Sequence, residues 1–213
     1  MQLTVLETGR PIARRFFEWC ATEIEGFSQG DSIEYEAGPD VFRVNRRSFF
    51  QVNLFLVSKL AETALGDARG ETAIDLYAGV GLFSLPLARR FSRVVALDSN
   101  RSAVQDLEFN AQRADVSLEY FHGSAESFLA GWHEPTDLVL ADPPRAGLGR
   151  DVTAALARLE PRRIVIVSCD PATLARDLRA LISGGFELNS LKMVDLFPQT
   201  FHIESVAELI RRG

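Results

Sequence analysis

The sequence predicts an α/β fold: a doubly wound, mostly parallel sheet of seven strands with a small N-terminal α+β cap. Three observations carry this expectation. From about residue 72 onward, short apolar runs alternate with helical patterns. The runs are continuously apolar rather than alternating, which is how strands read when helices cover both faces of a sheet. After Gly185 two strand-like segments follow each other closely, as an antiparallel hairpin needs.

The elements follow in order. Leu3–Leu6 is strand-like. Pro11–Phe27 places Ile12, Phe16, Cys20 and Ile24 on one stripe of an amphipathic helix, so Cys20 is expected in the core. Ser32–Tyr35 and Val41–Val44 can pair across Ala37-Gly38-Pro39-Asp40. Residues 1–45 thus read as a cap, the remnant of a central domain, and 46–213 as the main domain. Ser48-Phe49-Phe50-Gln51-Val52-Asn53 reads as a helix start, with Ser48 as its cap and Phe49 or Phe50 in the core. The main strands are Thr72–Tyr77, Arg93–Leu97, Leu118–Phe121, Asp137–Ala141 and Arg163–Val167. Helices are expected over Leu82–Phe91, from a Ser99-Asn100 cap to about Arg113, over Ser124–Trp132, over Asp151–Leu159 and over Asp170–Ser183, the last closed by Gly184-Gly185. The terminal hairpin comprises Phe186–Phe197 and His202–Leu209.

Composition narrows the class. Of the 213 residues, 46% are apolar and 24% charged, an ordinary globular balance. No apolar run approaches the ~18 residues of a membrane span, the first residues show no signal-peptide pattern, and a cytoplasmic location is expected. Two cysteines cannot build a disulfide framework or a thiolate-rich metal site. The net charge of −6 by itself argues against a nucleic-acid-binding domain. Its basic residues are nearly all arginine, with Lys59 and Lys192 the only lysines, and five arginine pairs occur, among them Arg46-Arg47 and Arg162-Arg163. Arginine suits bidentate phosphate contacts, although each pair also reads as a solvated helix or loop end.

Chemistry-bearing residues cluster where the strands end. After the first main strand comes Asp75-Leu76-Tyr77-Ala78-Gly79-Val80-Gly81, in which glycine lets the backbone approach a ligand. Ser84 stands where a dinucleotide fingerprint wants its third glycine, which disfavours a dehydrogenase. Asp98 ends the second strand, 19 positions after Gly79, a spacing that suits a carboxylate accepting ribose hydroxyls. This combination points to an adenosine cofactor without pyrophosphate, of which S-adenosylmethionine is the obvious one; a tight turn without ligand is the other reading. The fourth strand ends in Asp142-Pro143-Pro144-Arg145, and Arg145 stands where amino-methyltransferases of adenine and cytosine place a stacking aromatic. The fifth delivers Cys169 to the start of a helix whose dipole favours a thiolate, while the neighbouring Asp170 carboxylate opposes it. Glu204, in an otherwise apolar strand, is either a paired structural acid or a base with a raised pKa. His202 falls on the same face and reads as a local hydrogen-bonding residue rather than a metal ligand.

DLYAGVGLFSLPLA, DPPRAGL, SCDPATLARDL and FPQTFHIESVAEL, with SFFQVN upstream, together resemble the RNA 5-methyluridine (uracil-C5) methyltransferases, over roughly residues 42 to 213. The resemblance implies a Rossmann-like class I methyltransferase fold. It also implies S-adenosyl-L-methionine as cofactor and a uridine of ribosomal or transfer RNA as substrate. By that likeness Cys169 is the nucleophile that adds to carbon 6, and Glu204 the base that removes the carbon-5 proton. Gln51, Tyr77, Gly79, Asp98 and Asp142 match cofactor-contacting positions, and Phe49 an aromatic that holds the flipped base. Leu82 departs from the family, where many relatives carry Asn. Family members usually have more chain at the N-terminus, with an RNA-gripping β-barrel and sometimes an iron–sulfur centre. The sequence is therefore expected to be the catalytic part only, a natural short form or a piece of a longer chain. No iron–sulfur cluster or metal, a monomer, and weak, salt-sensitive RNA affinity go with that expectation. A non-catalytic cofactor- or RNA-binding module, and a methyltransferase of a non-RNA substrate, are the alternatives.

Overall fold

The computed structural model describes residues 19, 20, 22, 23, 32–51, 53–200 and 203–213. The expected strand Leu3–Leu6, most of the helix over Pro11–Phe27, and His202 lie outside these residues. Cys20 is helical and 1% exposed, as its place on the apolar stripe requires.

β1 (Ser32–Ala37) and β2 (Asp40–Asn45) form an antiparallel hairpin closed by Gly38-Pro39. There follow α1 (Val57–Leu65), β3 (Gly70–Leu76), α2 (Ser84–Ala88), β4 (Phe91–Asp98), α3 (Arg101–Arg113), β5 (Glu119–His122) and α4 (Ala125–Gly131). The chain continues through β6 (Leu138–Ala141), α5 (Gly149–Leu159), β7 (Arg163–Ser168), α6 (Pro171–Ser183), β8 (Phe186–Val194) and β9 (Glu204–Arg211). β3 to β9 build one seven-stranded sheet in the order β5-β4-β3-β6-β7-β9-β8. The first five of these strands run parallel, and β9 slots antiparallel between β7 and β8.

Period-two side-chain alternation splits the apolar runs between two cores. Val94, Ala96, Leu138, Leu140, Val165 and Val167 point to one face. Their neighbours Val95, Leu97, Val139, Ala141, Ile164 and Ile166 point to the other. All twelve are 2% exposed or less, and each larger side chain contributes about 1.5–3 kcal/mol by its burial. Helix starts are fixed by side-chain caps: Asn100 accepts from Ser102 N at 2.9 Å, Ser124 from Ser127 N at 3.2 Å, and Asp170 from Thr173 N at 2.8 Å.

Several boundaries differ from expectation. The helix expected over Leu82–Phe91 is only Ser84–Ala88. Leu82 and Phe83 remain in the turn that leads out of the glycine loop, and Phe91, 6% exposed, is drawn into the core as the first residue of β4. β8 stops at Val194, which pairs with the first residue of β9, Glu204, and there Leu196 N turns back to the Val194 carbonyl at 3.0 Å. Ser48 caps no helix, since α1 starts only at Val57. Its hydroxyl donates instead to Asp106 Oδ2 at 2.7 Å, and of the two aromatics beside it Phe50 is in the core while Phe49 is 70% exposed.

That Asp106 contact belongs to a buried clamp on α3. Asp106, 1% exposed, also accepts from Arg43 Nε at 2.8 Å and Asn45 N at 2.7 Å. Asn110 bonds the Arg43 backbone on both sides and the Val80 carbonyl at 3.0 Å. The hairpin and the segment after it are thereby held against the glycine loop, and every buried polar atom involved is matched. Among the described residues no helix is long and apolar enough to cross a membrane.

Candidate active site

The carboxyl-terminal ends of β3, β4, β6 and β7 open onto one cavity of about 690 Å³. Ligands bind at this edge in doubly wound sheets, in cavities of about 300–1,000 Å³. Every site residue expected from the sequence lines it: Phe49, Gln51, Tyr77, Gly79, Asp98, Asp142, Cys169 and Glu204.

The glycine loop forms one wall. Tyr77 leaves β3 with φ +63°, a left-handed conformation that costs a non-glycine residue about 1 kcal/mol or more and persists only where surroundings impose it. Ala78 N then bonds the Leu97 carbonyl at 2.9 Å, tying the loop to β4. Gly79 has φ +55°, and a Cβ placed there would meet nothing within 4 Å. The bare backbone therefore faces open cavity. Gly81 serves packing instead, because a Cβ there would strike Leu107 and Leu85. Asp98 Oδ2 accepts from Gly79 N at 2.9 Å and Oδ1 from Asn100 N at 2.7 Å, so this acid positions the loop as well as facing the cavity.

A second wall is the turn after β6. Asp177, 2% exposed on α6, accepts from Leu148 N at 2.7 Å, and Arg176 donates to the Ala146 carbonyl at 2.7 Å. Gly147, at φ +76°, leaves no room for a Cβ beside Asp177. Arg176 and Asp177 of ATLARDL thus hold the DPPRAGL turn in shape. Asp177 is one of the positions the sequence reading passed over.

The third wall joins Cys169 and Glu204, 35 positions apart in sequence. Antiparallel pairing of β7 with β9 sets Ser168 opposite Ser205, so Cys169 leaves β7 beside the first residue of β9, Glu204. Glu204 is 4% exposed, and burial raises its pKa. The Cys169 thiol is also pushed up, first by burial and then by the Glu204 charge, while Arg145 pulls it down. Asp170, expected to oppose the thiolate, is otherwise engaged. Its carboxylate caps α6, and its bonds with Thr173 lower its pKa. Among the acids, Glu204 raises the thiol most, ahead of Asp142. Asp142 is raised well above the carboxylate range by burial and by the charges of Glu204 and Asp75, against which the Gln51 side chain works.

Asp75 is the other residue the sequence reading passed over, although its signal, an acid inside an apolar strand, is the one that singled out Glu204. It is fully buried, its Oδ2 accepts from Ser84 Oγ at 2.5 Å, and its Oδ1 has no partner. Burial raises its pKa from 3.8 to about 7, with the Ser84 bond opposing and Asp98 adding to the rise. An acid raised on folding contributes stability fully below about pH 4, and that contribution is lost as pH rises through about 7. Asp75→Asn is expected to be favoured over the parent by about 2–4 kcal/mol more at about pH 8 than at about pH 5, by urea unfolding at both. A residual slope of the same sign should remain from Asp142 and Glu204. An unchanged pH slope in the variant would contradict this reading of Asp75.

Strand order, glycine loop and second-strand acid together define a class I methyltransferase fold. The precorrin-6y C5,15-methyltransferase of Geobacter metallireducens, at 15% identity, shares that fold with TM-score 0.63 over 73% of this chain and 89% of its own. The chain belongs to the tRNA (uracil-5-)methyltransferase family, whose model matches residues 29–212. It is 37% identical over 174 residues to an uncharacterised RNA methyltransferase of Thermotoga maritima, covering 80% of this chain and 40% of that one. An uncharacterised RNA methyltransferase of Oceanobacillus iheyensis is 39% identical over 188 residues, 84% of this chain and 41% of that one. The crystal structure of Pyrococcus abyssi tRNA (uracil-54, C5)-methyltransferase in complex with S-adenosyl-L-homocysteine superposes with TM-score 0.77 at 32% identity, over 86% of this chain and 45% of that one. The chain thus spans about two fifths of the length of the curated relatives it matches.

Proposed function

We propose that this chain carries the catalytic centre for transfer of a methyl group from S-adenosyl-L-methionine to carbon 5 of a uridine in ribosomal or transfer RNA. The observation that carries the reading is the convergence of Cys169 and Glu204 on the cavity that also holds the glycine loop.

The residues suit the cofactor. Gly79 leaves open space against bare backbone, Asp98 offers a carboxylate to hydroxyls, and Val80, Leu82, Phe83 and Ala103 supply an apolar wall for a flat base. Leu82, where relatives carry Asn, adds no polar contact, and Asn100 is the amide nearest in sequence to Asp98 on that wall. When bound, S-adenosylmethionine supplies an electrophilic methyl group.

The chain's own groups supply the rest. Carbon 5 of uracil is a weak nucleophile until a thiolate adds at carbon 6 and pushes electron density onto it. Cys169 Sγ forms that bond, and the Arg145 cation favours the thiolate needed for it. After carbon 5 has gained its methyl group, Glu204 takes the proton from that carbon. The electron pair restores the C5=C6 bond, and Cys169 leaves. A base must be ionised yet able to hold a proton, and burial moves Glu204 toward that range. Phe49, exposed at the mouth, offers a face to a base drawn out of its stack. Residues 1–45 are read as a cap and 46–213 as the methyltransferase domain.

Incubation with transcribed ribosomal and transfer RNA and isotopically labelled cofactor is expected to place the label on uridine carbon 5, by nucleoside mass spectrometry. Label on adenosine, cytidine or protein, with none on uridine, would overturn the assignment.

A further inference from the structure

We propose that Phe55, with Leu54 beside it, forms a stacking step outside the cavity mouth for a single-stranded RNA nucleotide flanking the target. This rests on the RNA reading above and adds a residue and a binding mode to it.

Among its described residues, the segment between β2 and α1 is pinned at Ser48, Phe50, Gln51 and Asn53. Ser48 bonds Asp106 at 2.7 Å, Phe50 stacks on Tyr35 with ring centroids 5.0 Å apart, and Gln51 is 6% exposed in the cavity wall. Asn53 donates to the Leu196 carbonyl at 2.8 Å, while its own side-chain oxygen accepts from Phe55 N at 3.1 Å and Leu56 N at 3.2 Å. The next residue along that strand exit, Phe197, lines the cavity. A backbone held this firmly leaves three apolar side chains outward: Phe49 at 70%, Leu54 at 51% and Phe55 at 95% exposure. Single exposed apolar residues are ordinary. Three on one anchored segment, beginning at the lining residue Phe49, are not accounted for by packing.

Charge on the same rim selects the partner. Arg145 lines the cavity and Arg47 and Arg101 adjoin the lining residue Asn100; all three are exposed, and among the described residues none is in an ion pair. Arg47 is held in place because Asn100 Nδ2, from the cavity wall, donates to its carbonyl at 2.7 Å. The chain is acidic overall at −6, so Arg47 and Arg101, both beside the lining residue Asn100, and Arg145, itself a lining residue, form a local exception. Cations that follow a backbone and rings that take bases are the two parts of a single-strand nucleic-acid surface. An apolar protein partner would use the rings and leave the cations idle.

The test measures binding of a short single-stranded RNA of fixed, uridine-containing sequence to the whole chain, by fluorescence anisotropy, independently of methyl transfer. Phe55→Ala is expected to weaken binding about 5- to 100-fold, the range for losing one base-stacking ring. Phe55→Trp and Phe55→Tyr should restore it, and the new indole should be quenched on RNA addition. Phe55→Leu should not restore it. Cofactor affinity and thermal unfolding should be unchanged throughout. Parental affinity in Phe55→Ala or in Phe55→Leu would overturn the stacking step. So would no quenching in Phe55→Trp, or a loss matched by lower thermal stability. Parental RNA with no methylated uridine would instead count against the proposed reaction, and the binding series would still decide on Phe55.

Discussion

Replacing Cys169 with serine is expected to lower uridine methylation by about 10⁴-fold or more, the scale on which enzymes lose activity when a covalent nucleophile is removed. The hydroxyl is close in shape to the thiol but a far weaker nucleophile at neutral pH. It sits where burial and the Glu204 charge already disfavour an anion. The fold should not suffer: Cys169 is only partly buried, and the neighbouring cap of α6 is made by Asp170. Cofactor binding and unfolding should therefore match the parent, which separates loss of chemistry from loss of structure. The companion substitution Cys20→Ser tests the opposite kind of thiol, a packing residue 1% exposed in a helix. It should leave the reaction intact.

Glu204→Gln is expected to split the reaction in two. Addition of Cys169 and gain of the methyl group do not need the carboxylate as a base, so a methylated RNA should still form on the protein. Removal of the carbon-5 proton does need it, and turnover should fall about 10²- to 10⁴-fold, as loss of a positioned base does elsewhere. Covalent RNA–protein complex should then accumulate, visible as a band that survives denaturation. Removing the charge also relieves the thiol, since Glu204 is the charge that most raises the Cys169 pKa. The adduct should consequently form at lower pH than in the parent. Normal turnover by this variant would refute Glu204 as the base. Slow turnover with no accumulated complex would place its role before methyl transfer.

How far these assignments were legible in the sequence depended on the range of the forces involved. Strands β3, β4, β6 and β7 were readable because their burial on both faces leaves continuous apolar runs. The Asn100 cap was readable because a cap acts on a residue only two positions away. Ser48 was misjudged as a cap because its partner, Asp106, lies 58 positions on, on another element. The opposition of Asp170 to the thiol failed for the converse reason: adjacency in sequence said nothing of where its carboxylate points. The decisive neighbour, Glu204, reaches Cys169 only through the antiparallel register of β9 on β7. Asp75 went unnoticed inside the glycine-loop motif, because the consequence of its burial depends on Asp98, Asp142 and Ser84 around it.

The most direct measurement of the central claim is trapping with RNA that carries 5-fluorouridine, whose carbon-5 fluorine Glu204 cannot remove as a proton. The parent protein with S-adenosylmethionine should give a denaturation-resistant complex with its RNA link on Cys169, by peptide mass spectrometry, and Cys169→Ser should give none. Efficient methylation of ordinary uridine by the parent, with no trapped complex on Cys169, would contradict covalent catalysis at this strand end.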